Sequence, residues 1–137
     1  MKIIVKKKNK RVLRLDEGEK WPGVFIDFAK KNKIRGCWFS GFGAFKNPII
    51  SYYDHAKDAY LKKKLKGIFE TLSLIGNVSI TRNGLVVHSH VVLGDKKYRT
   101  VGGHLIFAEV GATLELFLTT SPQMNREIDP GGFGILV

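Results

Sequence analysis

Apolar and polar residues alternate along most of this chain, and at one place the period changes. Ile3-Ile4-Val5 and Val12-Leu13-Arg14-Leu15 read as a strand pair joined by the basic turn around Asn9. Between Trp21 and Lys33 the pattern becomes helical. Val24, Phe25, Phe28 and Ala29 recur at i, i+1, i+4 and i+5, which makes one apolar stripe. Asp16, Glu17 and Glu19 precede it and read as a helix entrance, where carboxylates meet the positive end of the helix dipole. Pro22 falls in the first turn, and Lys30, Lys31 and Lys33 fall in the last.

Everything after this helix reads as β. Cys37 to Ser40 leads into Gly41-Phe42-Gly43-Ala44-Phe45, whose glycines predict a bulge or a close backbone approach. Further strands are predicted at Ile49–Tyr53, Ala59–Lys66, Phe69–Thr81 with a break at Gly76, Leu85–Leu93, Tyr98–Val101, Leu105–Val110 and Thr113–Thr119. Asn83-Gly84 is a hairpin turn signal. The tail from Ser121 to Gly134 is turn-rich and leads to a short final strand, Ile135–Val137. With no internal repeat, low-complexity tract or linker, the expected architecture is one domain over residues 1–137. Its class is α+β: a mostly antiparallel sheet with one main helix packed on it.

Composition narrows the class. A hydrophobic fraction of 44% and a mean hydropathy of −0.07 describe a globular protein able to bury a core. The single cysteine, Cys37, excludes an internal disulfide and a cysteine-rich zinc motif. The N-terminal stretch is too charged for a signal-peptide core, and no run nears the roughly 18 apolar residues of a membrane span. The expectation is a soluble, cytoplasmic protein without membrane contact.

Charge adds a candidate partner. The net charge is +11. Lys6, Lys7, Lys8, Lys10 and Arg11 crowd the start, with Arg14 close by, and Lys62, Lys63, Lys64 and Lys66 form a second block. Such clusters attract polyanions by releasing counterions, which makes DNA a candidate partner. A lysine-rich solvated surface has the same composition. No aromatic platform is interleaved with the lysines, as single-strand binding would require.

Candidate chemistry concentrates in VVHSHVVLGDKKYRTVGGHLIF, residues 86–107. On a strand, His88 and His90 share a face with Val86 and Val92, while Val87, Ser89 and Val91 take the other. Side chains two residues apart stand about 7 Å apart at Cα, close enough for both imidazoles to converge on one ion. One hairpin around Asp95-Lys96-Lys97 returns the chain so that His104 falls beside them. Gly102-Gly103 lets backbone approach a neighbour closely there. Three neutral imidazoles with an open position match the ligand count of a catalytic zinc site. The alternative is three histidines satisfied by backbone carbonyls. Glu70 and Glu115 each sit in an apolar strand, where a carboxylate needs a partner. Glu70 is a candidate catalytic base, a metal ligand or a structural ion-pair partner. Arg82 or Arg99 could hold a substrate carboxylate, and His55 reads as a solvated loop residue. Ser40-Gly41-Phe42-Gly43 lacks the Lys-Ser/Thr of a phosphate loop, and neither Cys37 nor Ser73 has a base in register.

Six ordered segments resemble the plants-and-prokaryotes-conserved (PPC) domain family: Trp38 to Ala44, Phe69 to Gly76, His88 to Val91, Gly102 to Leu105, Thr113 to Leu116 and Arg126 to Pro130. The resemblance implies a bent antiparallel sheet with one main helix and a homotrimer. It also implies the DNA-binding label that family members carry. The plant members join the domain to AT-hooks. Here Arg35-Gly36 is followed by Cys37, so the Arg-Gly-Arg core of a hook is missing. The His-x-His and Gly-Gly-His segments are also similar to those of acetolactate decarboxylase, which implies a zinc role for His88, His90 and His104. Three functional expectations follow. They are a trimeric DNA-associated protein with a three-histidine metal site, a zinc-dependent lyase-like enzyme on a small carbonyl or carboxylate substrate, and a purely architectural trimer.

Overall fold

Two long strands organise the molecule. In the computed structural model, which describes residues 1–129 and 131–137, the order is β1 (Lys2–Lys7), β2 (Lys10–Asp16), β3 (Lys20–Trp21), α1 (Gly23–Lys31), β4 (Cys37–Asp54), β5 (Ala59–Lys64), β6 (Ile68–Thr81), β7 (Gly84–Gly94), β8 (Thr100–Thr120), β9 (Arg126–Ile128) and β10 (Gly134–Leu136). The fold is the expected α+β arrangement of a mostly antiparallel sheet with a single short helix. The last residue of the Arg126–Pro130 segment lies outside the described residues.

β4 and β8 each join pieces that the sequence pattern separates. What appeared as strand ends are register shifts. β4 slips at Gly41/Gly43 against β6, and at Gly43/Phe45 and Lys46/Ile49 against β8. Such bulges bend a strand without ending it. The bend lets β8 pair with β7 through its first residues, with β2 through its last, and with β4 through both. β4, β6, β7 and β8 therefore pair in a circuit, while β1 and β5 lie at opposite edges of the sheet.

Four local expectations need correction. Asp16, Glu17 and Glu19 do not open the helix. Asp16 ends β2, Glu19 accepts the Asp16 amide at 2.8 Å, and Lys20–Trp21 pair with Glu109 and Ala108. Strand pairing thus uses the backbone as far as Trp21, Pro22 is the residue capping α1, and the first turn holds no acid. In the β6–β7 hairpin Thr81 pairs with Gly84, so Arg82 and Asn83 form the turn, and Gly84, at φ +113°, starts β7. Gly76 does not break β6. A Cβ there would stand 2.2 Å from the His88 carbonyl oxygen and 2.5 Å from Phe39 Cζ, so glycine is what lets Phe39 pack against the β6–β7 ladder. Finally, Tyr98 belongs to the β7–β8 turn rather than to a strand.

The core lies between α1 and the buried face of the sheet. Phe25, Phe28 and Ala29 are buried, as the helical stripe requires. Trp21 sits at the centre, stacked on Phe25 at 5.2 Å between ring centres, with Phe39 edge-on to both. Each such contact adds about 0.5–1.5 kcal/mol to the burial of the rings themselves. The Trp21 indole N–H donates to Ser89 Oγ at 3.3 Å, which ties the helix entrance to the inner face of β7.

Candidate metal centre

That tie sets the orientation of the histidines. Ser89, Val91 and Leu93 are buried on the inner face of β7, so His88, His90 and Val92 project outward. The hairpin to β8 sets His104 directly opposite His90. Asp95 Oδ1 organises the turn by accepting the Lys97 and Arg99 amides at 2.8 and 3.0 Å. At Gly102 and Gly103 a Cβ would fall 2.6 Å from the Val91 carbonyl oxygen and 2.7 Å from that of Ser51. The glycine pair thus lets β8 pass between β7 and β4 immediately before His104.

The three imidazoles meet at one point of the outer face, with one ligand nitrogen of each within 4.8 Å of the others. An imidazole bound to zinc at about 2.0–2.1 Å has its ring centre about 3.2 Å from the ion, so three rings at tetrahedral corners stand about 5.2 Å apart. At adjacent octahedral corners the same rings would be about 4.5 Å apart. The observed separations are 5.2 Å for His88–His90, 5.1 Å for His88–His104 and 5.5 Å for His90–His104. Ring rotation about Cβ–Cγ moves the nitrogens and leaves the centres nearly in place. The separations of the ring centres therefore match those of three imidazoles on a tetrahedral ion. The group contains no carboxylate or thiolate, so three neutral donors leave one corner open.

The electrostatics favour the unprotonated form that a ligand needs. Burial first, then the charge of Arg126 and the other two rings, hold His88 down at about 4. Burial, His90 and Arg126 also lower His104. Arg126 is the residue that sequence reasoning missed. Its segment returns along β6 through an Ile80–Asn125 bridge, and Ile80 N donates to Met124 O at 2.8 Å. This lays the guanidinium beside His88, with Nη2 3.5 Å from Nδ1. Nε donates to Ser79 Oγ and Nη2 to Asn77 Oδ1, both at 3.1 Å, and Nη1 donates to the Gly134 carbonyl. Asn77 and Ser79 are buried, and Asn77 is the direct β6 partner of His88. The quoted segment starting at Arg126 was the available signal, but nothing in the local pattern joins it to β6. Tyr60 is the other missed neighbour, 6.4 Å from His104 between ring centres.

Other candidates lie elsewhere. Glu70 is exposed on β6 opposite Ala44 and Gly94 and is not part of the histidine group. The burial that suggested a catalytic base there is absent, because Glu70 points away from the core. Glu115 pairs across strands with Arg14. Arg99 is locked onto Asp95 at 2.7 Å, and Arg82 sits in the β6–β7 turn. His55 is exposed in the turn after β4 and packs on Tyr53. Cys37 is buried, and that burial pushes its thiol up to about 11. Lys6, Lys7, Lys8, Lys10 and Arg11 lie on β1 and β2, and Lys62, Lys63 and Lys64 on β5, with Lys66 just beyond. The two basic blocks thus occupy opposite edges of the sheet, where lysines also discourage edge-to-edge strand pairing.

The centre shares its face with an apolar patch. One row of register runs from Phe117 through Ser40, Ile75 and His90 to His104. Around it Trp38, Phe42, Ile75, Val92 and Phe117 are all exposed. Among the described residues, no helix is long and apolar enough to cross a membrane.

No curated protein matches the sequence. Solved structures do. A plant- and prokaryote-conserved (PPC) protein of Pyrococcus horikoshii is 33% identical, with TM-score 0.87, over 99% of this chain and 94% of that one. A metal-containing protein of Archaeoglobus fulgidus is 34% identical, with TM-score 0.85, over 99% and 96%. A "putative DNA binding protein" of Bacteroides thetaiotaomicron shares the fold at TM-score 0.91 with 23% identity, over 97% and 94%. The weaker likeness to acetolactate decarboxylase of Bacillus subtilis is one of fold: TM-score 0.57 and 14% identity, over 83% of this chain and 53% of the enzyme. The model of the Plants and Prokaryotes Conserved (PCC) domain matches residues 4–122, and the chain belongs to that family.

Proposed function

We propose that this protein binds one zinc ion through His88, His90 and His104, in a single domain that assembles as a homotrimer. The observation that carries the metal reading is the ring spacing, 5.1–5.5 Å between centres, close to what a tetrahedral ion demands. The name of the Archaeoglobus relative, a metal-containing protein at 34% identity, supports it. Bound zinc supplies a Lewis acid with one position open to a ligand. The chain's own contribution is to present three rings from one hairpin, two of which, His88 and His104, burial biases toward the unprotonated form. Zinc is preferred among first-row metals because three imidazoles at tetrahedral spacing suit it. The exposed apolar patch around Ile75 and Phe117 supports self-association, since such patches mark contact surfaces.

The test is metal analysis and calorimetric titration of protein purified without a histidine tag. Wild type takes up one zinc per chain, and His104→Ala binds it at least about tenfold more weakly. Failure of wild type to bind zinc, or equal affinity in His104→Ala, refutes the site. Light scattering that reports a monomer refutes the trimer separately.

A second reading is DNA contact through the lysines, for which the net charge of +11 and the name of the Bacteroides neighbour speak. Basic blocks on both sheet edges would reach phosphates rather than bases, and three copies would add avidity. Affinity then falls steeply from about 50 to 200 mM salt. No anisotropy change with duplex DNA at the lower salt rules this reading out.

A further inference from the structure

The histidine group leaves a charge problem that Arg126 makes worse. A dication on three neutral imidazoles keeps its full charge, because no carboxylate belongs to the group. Arg126, half-buried beside His88, adds another positive charge and makes no ion pair among the described residues.

The hydrogen bonds of the guanidinium sharpen this. Of its five N–H groups, four face protein acceptors: Ser79 Oγ, Asn77 Oδ1, the Gly134 carbonyl and His88 Nδ1. The last of these cannot coexist with a metal on His88. If Nδ1 gives its lone pair to the ion, it no longer accepts from Arg126. If Nε2 binds the ion, Nδ1 carries the ring proton, and two N–H groups face one another. Either way the Arg126 Nη2 proton loses its acceptor. One N–H on each terminal nitrogen is then unused, which is the donor pair that grips a carboxylate.

We propose that Arg126 and the open position of the three-histidine centre together bind a small carboxylate anion. The proposal rests on the metal reading above and names its ligand class. The anion neutralises the site and replaces the acceptor that His88 withdraws. Asn77 and Ser79, both buried on β6, hold the fork in place before the ligand arrives. Arg126 also lines a groove of 740 Å³ between the β6–β7 hairpin and β9, whose lining includes none of the three histidines.

The experiment uses cobalt(II) as a visible substitute for zinc and acetate as the probe. Wild type and Arg126→Gln are loaded with one equivalent of cobalt, and the visible absorption is followed as acetate is added. Wild type shows a saturable change. Arg126→Gln shows one at least about tenfold weaker, with cobalt uptake retained. Arg126→Lys, which keeps the charge but not the fork, guards against misfolding of the glutamine variant and falls between them. Cobalt uptake with equal acetate affinity in wild type and Arg126→Gln overturns this proposal alone. Absence of cobalt uptake by wild type overturns the metal reading, and this proposal with it.

Discussion

Replacing Gly76 with alanine tests how tightly the sheet holds the histidine strand. The added methyl carbon would lie 2.2 Å from the His88 carbonyl oxygen, 2.5 Å from Phe39 Cζ and 3.0 Å from Ser89 Cα. An ordinary contact between such atoms is about 3.5 Å or more, so a displacement of about an ångström is forced. Two of the three obstacles are β7 backbone. The third is the Phe39 ring, wedged edge-on against Trp21 and Phe25. None is a flexible side-chain end, so the variant belongs at the upper end of overpacking costs, about 3 kcal/mol. For a chain of this length that lowers the thermal midpoint by roughly 10 °C. Because the strain falls on the residues carrying His88 and Ser89, zinc affinity should fall with it. Gly94→Ala is the control on the same strand pair. The atoms nearest its new methyl would be those of the Leu72 side chain, at 3.4 Å and beyond, and the change should cost under about 1 kcal/mol. Calorimetric melts of the two variants give the comparison. A Gly76→Ala midpoint within about 2 °C of wild type would refute the reading of a tight β6–β7 contact.

Zinc at a hundredfold excess over its dissociation constant should stabilise wild type by about 2.7 kcal/mol; a chelator should remove the gain, and His88→Ala should never show it. Trp21→Phe should lose about 2–3 kcal/mol, seen as a lower urea midpoint at unchanged m-value, because the indole N–H to Ser89 and part of the core volume both go. An unchanged midpoint would show that the Trp21–Ser89 bond does not anchor β7. Cys37 should resist a thiol reagent at pH 8 in the native protein and react once denaturant is added, since burial holds the thiol neutral. The unfolded thiol ionises near its ordinary value of 9.0 and the folded one near 11, so the stability of wild type relative to Cys37→Ala should decline as pH rises through that window. A flat difference across that range would remove the linkage.

Local pattern was enough to specify the elements whose partners lie close by in sequence. The apolar stripe of Phe25, Phe28 and Ala29 had to face a core, whatever that core was. The alternation along β7 settled that His88 and His90 share a face, because side-chain direction on a strand follows from chain geometry alone. His104 was within reach because a hairpin is a local event. Tertiary structure decided the rest. Acidic residues before a helical stripe favour a helix start, yet pairing of Lys20 and Trp21 with β8 overrode that preference. Gly41 and Gly43 signalled a bulge or a close approach and Gly76 read as a break, but which backbone each one meets depended on Glu115, Thr113 and His88, residues on other strands. Arg126 reached His88 only because the tail returned along β6, a contact across 38 residues. A periodic pattern reports which side of an element is apolar. It does not report which distant segment will cover it, because that choice rests on the summed packing of the whole sheet.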